Sequence, residues 1–181
     1  MKLDISVIFT RNPVSHNTLK GMMLEQLIKY FVYKTKGHIT KTQLVNFLYL
    51  ADLYTVKWTG KQLTQLNWCY YHHSPWHEDI DTALSQMDGK EIAQKAEGRI
   101  TFIRLGIEAD LTTDINLPLG LKLMLDNIRR EWASAAKFEQ LLDYVHNTAP
   151  MLEMRQIHKA AEKVKLNLNA EREKLVSELE L

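Results

Sequence analysis

The sequence predicts an α+β protein that is mainly helical, with about six helices and a small antiparallel β-sheet or hairpin. Apolar residues recur at three- and four-residue intervals through most of the chain, which is the helical period. Short alternating or aromatic runs bounded by turn residues occur in only a few places, so strands are few. With 181 residues, of which 45% are hydrophobic and 25% charged, the chain is long enough to bury the core of one domain.

Composition excludes several functional classes. A net charge of +1 and a pI near 7.8 argue against a dedicated nucleic-acid-binding protein, which would carry a marked basic excess. The single cysteine, Cys69, excludes an intramolecular disulfide and fits a reducing compartment. No apolar run reaches the length that a membrane span requires, and the N-terminus has no signal-peptide pattern. We therefore expect a globular, cytoplasmic protein.

The first elements follow from local patterns. Residues 3–9 alternate between apolar and polar side chains, which predicts a short strand. Thr18 is a candidate N-cap for a helix that carries Lys34 and Lys36 near its negative end. Gly37 can adopt the left-handed conformation that ends such a helix. The next helix follows after only three residues, so the two should pack against each other.

The second helix has the best-defined start in the chain. Thr40 and Gln43 have the spacing of a capping box, in which the side chain of each residue forms a hydrogen bond with the backbone of the other. One apolar stripe then follows at helical spacing: Leu44, Phe47, Leu48 and Ala51. Further apolar residues widen that stripe over most of the circumference. We therefore predict that this helix is the buried centre of the domain.

The middle of the chain mixes strands and helices. Residues 66–71 read as an aromatic strand, and a third helix starts around Trp76 and stops at Gly89. Residues 91–105 predict a hairpin that turns at Gly98.

Three helices are predicted in the last third of the chain. Pro118 indicates the start of a first short helix, and Ser134 is a candidate N-cap for a second. Residues 151–181 predict one long amphipathic helix with a nearly heptad seam at Ile157, Ala161, Val164 and Leu168. Glu171 breaks that seam, so we expect residues 171–181 to be dispensable for folding. The seam could pack on its own domain, on a second copy or on another protein.

The segment from His72 to Asp79 is the strongest candidate for chemistry, because it holds three histidines among acids. Neighbours on a strand point to opposite faces, so His72 and His73 are poorly placed to share a metal. A polar loop with helix-capping acids explains the segment better. Cys69 lies in an aromatic strand, where a thiol is usually inert. The sequence therefore predicts no catalytic residue, no metal and no cofactor.

The aromatic residues divide into two sets. Strand geometry puts Trp68 and Tyr70 on one face, which we assign to the core, and Tyr71 on the other. Tyr71 and Trp76 are then the better candidates for contact with a partner.

A winged-helix arrangement is an alternative interpretation, with helices 20–36 and 40–57 and the hairpin 91–105. The apolar second helix argues against it as the main function, because it leaves little surface for DNA.

Several segments resemble the Panacea domain, a SocA-like family of antitoxin domains associated with bacteria and their phages. The resemblance covers roughly residues 18–150 and is strongest over 18–76, which sets a domain at 1–150 and an appended segment at 151–181. The matching segments are Gly37–Thr40, Phe47–Asp52, Thr59–Thr64, Pro75, and the set His146, Thr148 and Pro150. Ser74 and Trp76 depart from the family's Gly-Pro-Val step. The structural signature residues are Thr40, Leu48, Tyr49, Leu50, Asp52 and Gly60.

The resemblance implies an antitoxin that binds and neutralises a protein toxin encoded nearby, without chemistry. A DNA-binding regulator and, more weakly, a metal-dependent enzyme are the alternatives. The residues that we expect at the toxin contact are Trp58, Tyr71, His72, Trp76 and His146.

Overall fold

The computed structural model describes residues 16–157 and 162–180, and confirms a mainly helical α+β fold. The helices in this part of the chain are α1 (His16–Lys34), α2 (Lys41–Thr59), α3 (Glu78–Met87), α4 (Leu119–Trp132), α5 (Phe138–His146), α6 (Ala149–Ile157) and α7 (Asn169–Leu179). The strands are β1 (Ile39–Thr40), β2 (Cys69–Tyr71), β3 (Ser74–Trp76), β4 (Ile92–Glu97), β5 (Ile100–Leu105) and β6 (Val164–Lys165). The strand predicted at 3–9 lies outside the described residues.

Helix α2 is the centre of the fold, as predicted. The capping box is present, since the Gln43 amide donates to Thr40 Oγ1 at 3.1 Å and the Thr40 amide donates to Gln43 Oε1 at 3.1 Å. Gly60 ends the helix in the left-handed conformation. Leu48, Tyr49 and Leu50 are fully buried. Helices α1, α4, α5 and α7 all pack around α2, so the signature residues of this helix form the core.

Helices α1 and α2 pack against each other through the connection that the sequence predicted. The rings of Phe31 and Phe47 meet edge to face with their centroids 5.2 Å apart. Gly37 has φ of +70°, and a Cβ atom at this position would lie 2.6 Å from the Leu105 amide nitrogen. Glycine is therefore required twice here, for the left-handed turn and for the close approach of β5. Thr18 lies inside α1 rather than at its cap, because the helix already includes His16.

Two small antiparallel sheets flank the helices. One has the strand order β1-β5-β4 and contains the predicted hairpin, with Glu97 paired to Ile100 across its turn. The other has the order β3-β2-β6. The predicted strand 66–71 is shorter than expected, since only Cys69–Tyr71 pairs. Helix α3 begins at Glu78, after Trp76, because Ser74–Trp76 pairs with β2 instead of starting the helix.

The prediction of a single long helix over 151–181 is wrong. Val164 belongs to β6 and pairs with Tyr70, while Leu166 and Leu168 are buried and separated by exposed Asn167. Ile157 is 70% exposed, and Ala161 lies outside the described residues. The residues from Val164 to Leu168 alternate between apolar and polar, which is the strand period, and the seam spacing concealed this pattern. Ser134 caps a 3₁₀ turn at Ala135–Lys137 that leads directly into α5.

Helix α7 is tied to the core through its first turn. The Glu171 side chain is buried and accepts from the Ala149 amide at 2.8 Å and from Lys57 Nζ at 3.5 Å. Arg172 donates to the Lys57 carbonyl at 3.0 Å. These contacts join α2, α6 and α7, so the expectation that residues 171–181 are dispensable does not fit the structure. None of the described helices combines the length and the apolar character that a membrane span requires.

We predict that Glu171→Ala lowers the free energy of unfolding by about 1–3 kcal/mol, because it leaves the Ala149 amide and Lys57 without their buried acceptor. Glu178→Ala on the exposed face of the same helix is the matched control, with an expected change within about 0.5 kcal/mol. Urea unfolding of both variants measures the difference. Equal stabilities would show that the Glu171 contacts contribute nothing.

Candidate binding surface

A buried carboxylate organises the loop that leads to β2. Asp52 is fully buried on α2 and accepts hydrogen bonds from the amides of Leu63 and Thr64 at 3.0 and 2.8 Å. The Thr64 hydroxyl also donates to it through a short hydrogen bond. Gln62 Nε2 and Trp68 Nε1 donate at 3.0 and 2.7 Å. The carboxylate therefore takes the place of a regular backbone ladder for residues 62–64.

Burial dominates the electrostatics of this carboxylate. The loss of solvation raises the pKa of Asp52 above its usual value, and the hydrogen bonds from Thr64 and Trp68 act in the opposite direction. The donors make a buried carboxylate tolerable, and they are oriented by it in turn. Trp68 is consequently drawn into the core, where its ring meets that of Tyr49 at 5.5 Å.

A second buried contact joins α2 to the start of α6. The Thr148 hydroxyl donates to the Val145 carbonyl at 2.7 Å, so the Tyr49 hydroxyl must be the donor in its 2.9 Å contact with Thr148 Oγ1. Burial raises the pKa of Tyr49 far above its usual range. Tyr49 and Thr148, which are distant in sequence, are thereby direct neighbours in space.

The hairpin of β2 and β3 carries backbone strain at its tip. Tyr71 pairs with Ser74, so the turn contains only His72 and His73. These two residues have φ of +47° and +65°. Positive φ at both turn positions is the type I′ pattern, which strongly favours Asn-Gly. A non-glycine residue in this conformation costs about 1–2 kcal/mol. The two histidines therefore occupy the turn at a local cost in free energy.

The outward face of this hairpin holds an aromatic cluster. The rings of Tyr71 and Trp76 lie 5.4 Å apart, and the His72 ring lies 4.1 Å from that of Tyr71. Lys163 Nζ stands 4.1 Å from the Trp76 ring centroid and 5.2 Å from that of Tyr71. Tyr71 and Trp76 are partly buried, whereas His72 and Lys163 are exposed. Together these four residues form a surface that we call the hairpin face.

The last residue of α5 lies under the hairpin tip. His73 Nδ1 is 2.9 Å from the buried Tyr70 hydroxyl. His146 Nε2 is buried and has no hydrogen-bond partner in the described part of the chain. Burial and then the charge of Arg155 lower the pKa of His146, while Asp143 and a hydrogen bond with the His73 backbone act in the opposite direction. The two histidines therefore link the tip to α5.

The structure thus brings together four of the five residues expected at a partner contact. Tyr71, His72 and Trp76 share the hairpin face, and His146 lies beneath its tip. Trp58 stands apart in the last turn of α2, where it is 66% exposed, and no ring contact of the described residues joins it to the others. Sequence reasoning missed Lys163, because it lies inside the segment 151–181 that was predicted as one helix, and that prediction gave no signal of its position over two rings.

Two observations concern the metal ligands and the thiol that the sequence offers at this surface. No group of three or more histidine, cysteine, aspartate or glutamate side chains is arranged for a metal ion in the described ranges 16–157 and 162–180. Burial raises the pKa of the Cys69 thiol, and its Sγ donates to the Asn67 carbonyl at 3.4 Å. A raised pKa keeps the thiol protonated and weakly nucleophilic.

The acidic charge of α3 argues against the winged-helix alternative. Strand β1 pairs with β5, and β5 with β4, which is the sheet order of a winged helix. In this topology α3, which precedes the hairpin, takes the position of the recognition helix. Its first turn carries Glu78, Asp79 and Asp81, and its sequence contains no basic residue. Such a helix would repel the phosphate backbone, and α2 is too deeply buried to replace it.

Comparison with known protein families identifies the family of this chain. The family model described as Antitoxin SocA-like, Panacea domain matches residues 44–157, which is more than half of the chain. No curated protein and no solved structure matches the chain. The matched region contains the Asp52 network, the β2–β3 hairpin and His146.

We predict that Asp52→Asn lowers the free energy of unfolding by about 3 kcal/mol or more, since the amide places a donor against donors from Thr64 and Trp68. Asp114→Asn is the control, because that carboxylate is 84% exposed and pairs with Lys122 at the surface. Chemical denaturation measures both changes. A loss of less than about 1 kcal/mol for Asp52→Asn would show that the network does not organise the fold.

We also predict a pH dependence due to His146. Its pKa is lowered on folding, so between the folded and the unfolded pKa the unfolded chain binds the extra proton. Stability should therefore fall as the pH drops below about 6.5, the ordinary histidine value. The measurement is urea unfolding at pH 7.5 and 5.5 for the wild type and for His146→Gln. The wild type should lose more stability than the variant, and identical losses would contradict the prediction.

Proposed function

We propose that this chain, which belongs to the SocA-like Panacea family of antitoxin domains, binds a cognate protein toxin and neutralises it by direct contact. The toxin would be encoded beside it in a bacterial or phage genome, and the complex would form in the cytoplasm. The observation that carries the proposal is the family match across residues 44–157, from the first turn of α2 to the end of α6.

The geometry supports binding rather than catalysis. The hairpin face offers rigid rings held on strands, and such aromatic anchors dominate the free energy of many protein interfaces. Tyr71 and Trp76 are already ordered by their neighbours, so little side-chain entropy is lost when a partner covers them. The partner-contact residues that we propose are Tyr71, His72, Trp76 and His146, and Trp58 at a separate exposed position.

Co-expression with the neighbouring gene tests the proposal. We expect that the product of the adjacent reading frame arrests growth when expressed alone, and that this chain restores growth and co-purifies with it. Asp52→Asn should restore growth less well, in proportion to the fraction of the variant that is unfolded. This variant therefore distinguishes a loss of stability from a loss of toxin contact. Growth arrest that persists despite soluble, folded antitoxin would count against the proposed function.

A further inference from the structure

We propose that the hairpin face is the toxin-contact surface, and that it recognises an acidic segment of the toxin through Lys163 and the His72–His73 turn. This inference rests on the proposed function and assigns to it a surface and a partner chemistry. Three independent features of the described residues support it: the backbone of the turn, the arrangement of the rings and the local charges.

The turn is the first feature. His72 and His73 both adopt positive φ in a two-residue turn where Asn-Gly would be unstrained. Strain at an exposed tip is typical of functional positions, because folding alone would favour its removal. His73 Nδ1 contacts the Tyr70 hydroxyl from this conformation, and the His72 ring lies tilted against that of Tyr71. Both histidines are exposed, so the turn presents both residues at the surface.

The rings are the second feature. Tyr71 and Trp76 come from neighbouring strands and lie side by side, and Lys163 from the chain just before β6 crosses both. The lysine ammonium is held by two ring faces, so its position is fixed before a partner arrives. A carboxylate that approaches this ammonium would bring its apolar neighbours onto the partly buried rings.

The charges are the third feature. The charged groups that act on the Cys69 thiol, at the centre of the sheet face, are Lys163, Glu78 and Lys165. Those that act on His146 beneath the tip are Arg155, Asp143 and His73. Cationic groups outnumber carboxylates around Cys69, whereas one arginine and one aspartate balance each other around His146. A partner with an acidic segment complements this distribution, whereas a basic partner would be repelled.

Two variants test the surface in the full-length chain. The double variant His72→Asn/His73→Gly removes the imidazoles and relieves the turn, so its melting temperature should stay within about 3 °C of the wild type. Lys163→Glu reverses the charge of an exposed residue and removes its cation–π contacts with Tyr71 and Trp76. Arg99→Ala, in the turn of the β4–β5 hairpin, is the matched control. The probe is the purified product of the adjacent reading frame, with affinity measured by calorimetry.

We expect each test variant to bind this probe at least about tenfold more weakly than the wild type, and Arg99→Ala to bind within about twofold. Wild-type affinity should fall between 50 and 300 mM salt, and Lys163→Glu should show a weaker salt dependence. Wild-type affinity in both test variants would overturn the assignment of the surface while leaving the proposed function intact. Failure of the wild type to bind would overturn both. Binding of a single-stranded RNA oligonucleotide that is lost in both variants would replace the acidic protein segment with nucleic acid.

Discussion

The fold depends on the satisfied burial of one carboxylate. Asp52 lies in the middle of the most buried helix, where an unpaired charge would be prohibitive, and donors from the loop 60–68 make its burial tolerable. The same hydrogen bonds leave that loop with little freedom. Trp68 is drawn inward by its indole N–H, and β2 begins at the following residue. The position of the hairpin is thus set by a polar contact in the core, because strands of three residues could not fix it alone.

The sequence was sufficient for features that depend on local chemistry. The capping box at Thr40, the left-handed conformation of Gly37 and the burial of Leu48 all follow from short-range patterns, and each is present. The loop 60–68 could not be predicted in the same way. Its conformation depends on contacts between Asp52 and residues ten or more positions away, and no periodic pattern reports such contacts.

The C-terminal segment shows how two periods can coincide. Val164 and Leu168 are four residues apart, which suits a helix, but Leu166 lies between them on the same side of an extended chain. Tertiary pairing with Tyr70 decides in favour of the strand. The hairpin face was predictable only in part, because tertiary pairing also determines which residues meet there. Residues 71, 72 and 76 are close in sequence, whereas Lys163 reaches their rings only because β6 pairs with β2.

The core and the hairpin face are connected but chemically distinct. Tyr70 of β2 and the preceding Trp68 are buried, while Cys69 and Tyr71 on the other face are only partly buried, so successive residues lie in different environments. A change on the inward side disturbs the Asp52 network and the stability of the domain. A change on the outward side alters rings and charges that the network holds in place without contacting them. The helical core holds the strands of the hairpin in place without using the side chains of the hairpin face. Those side chains can therefore differ while the fold beneath them is preserved. This independence is the physical requirement for one scaffold to accept different partners.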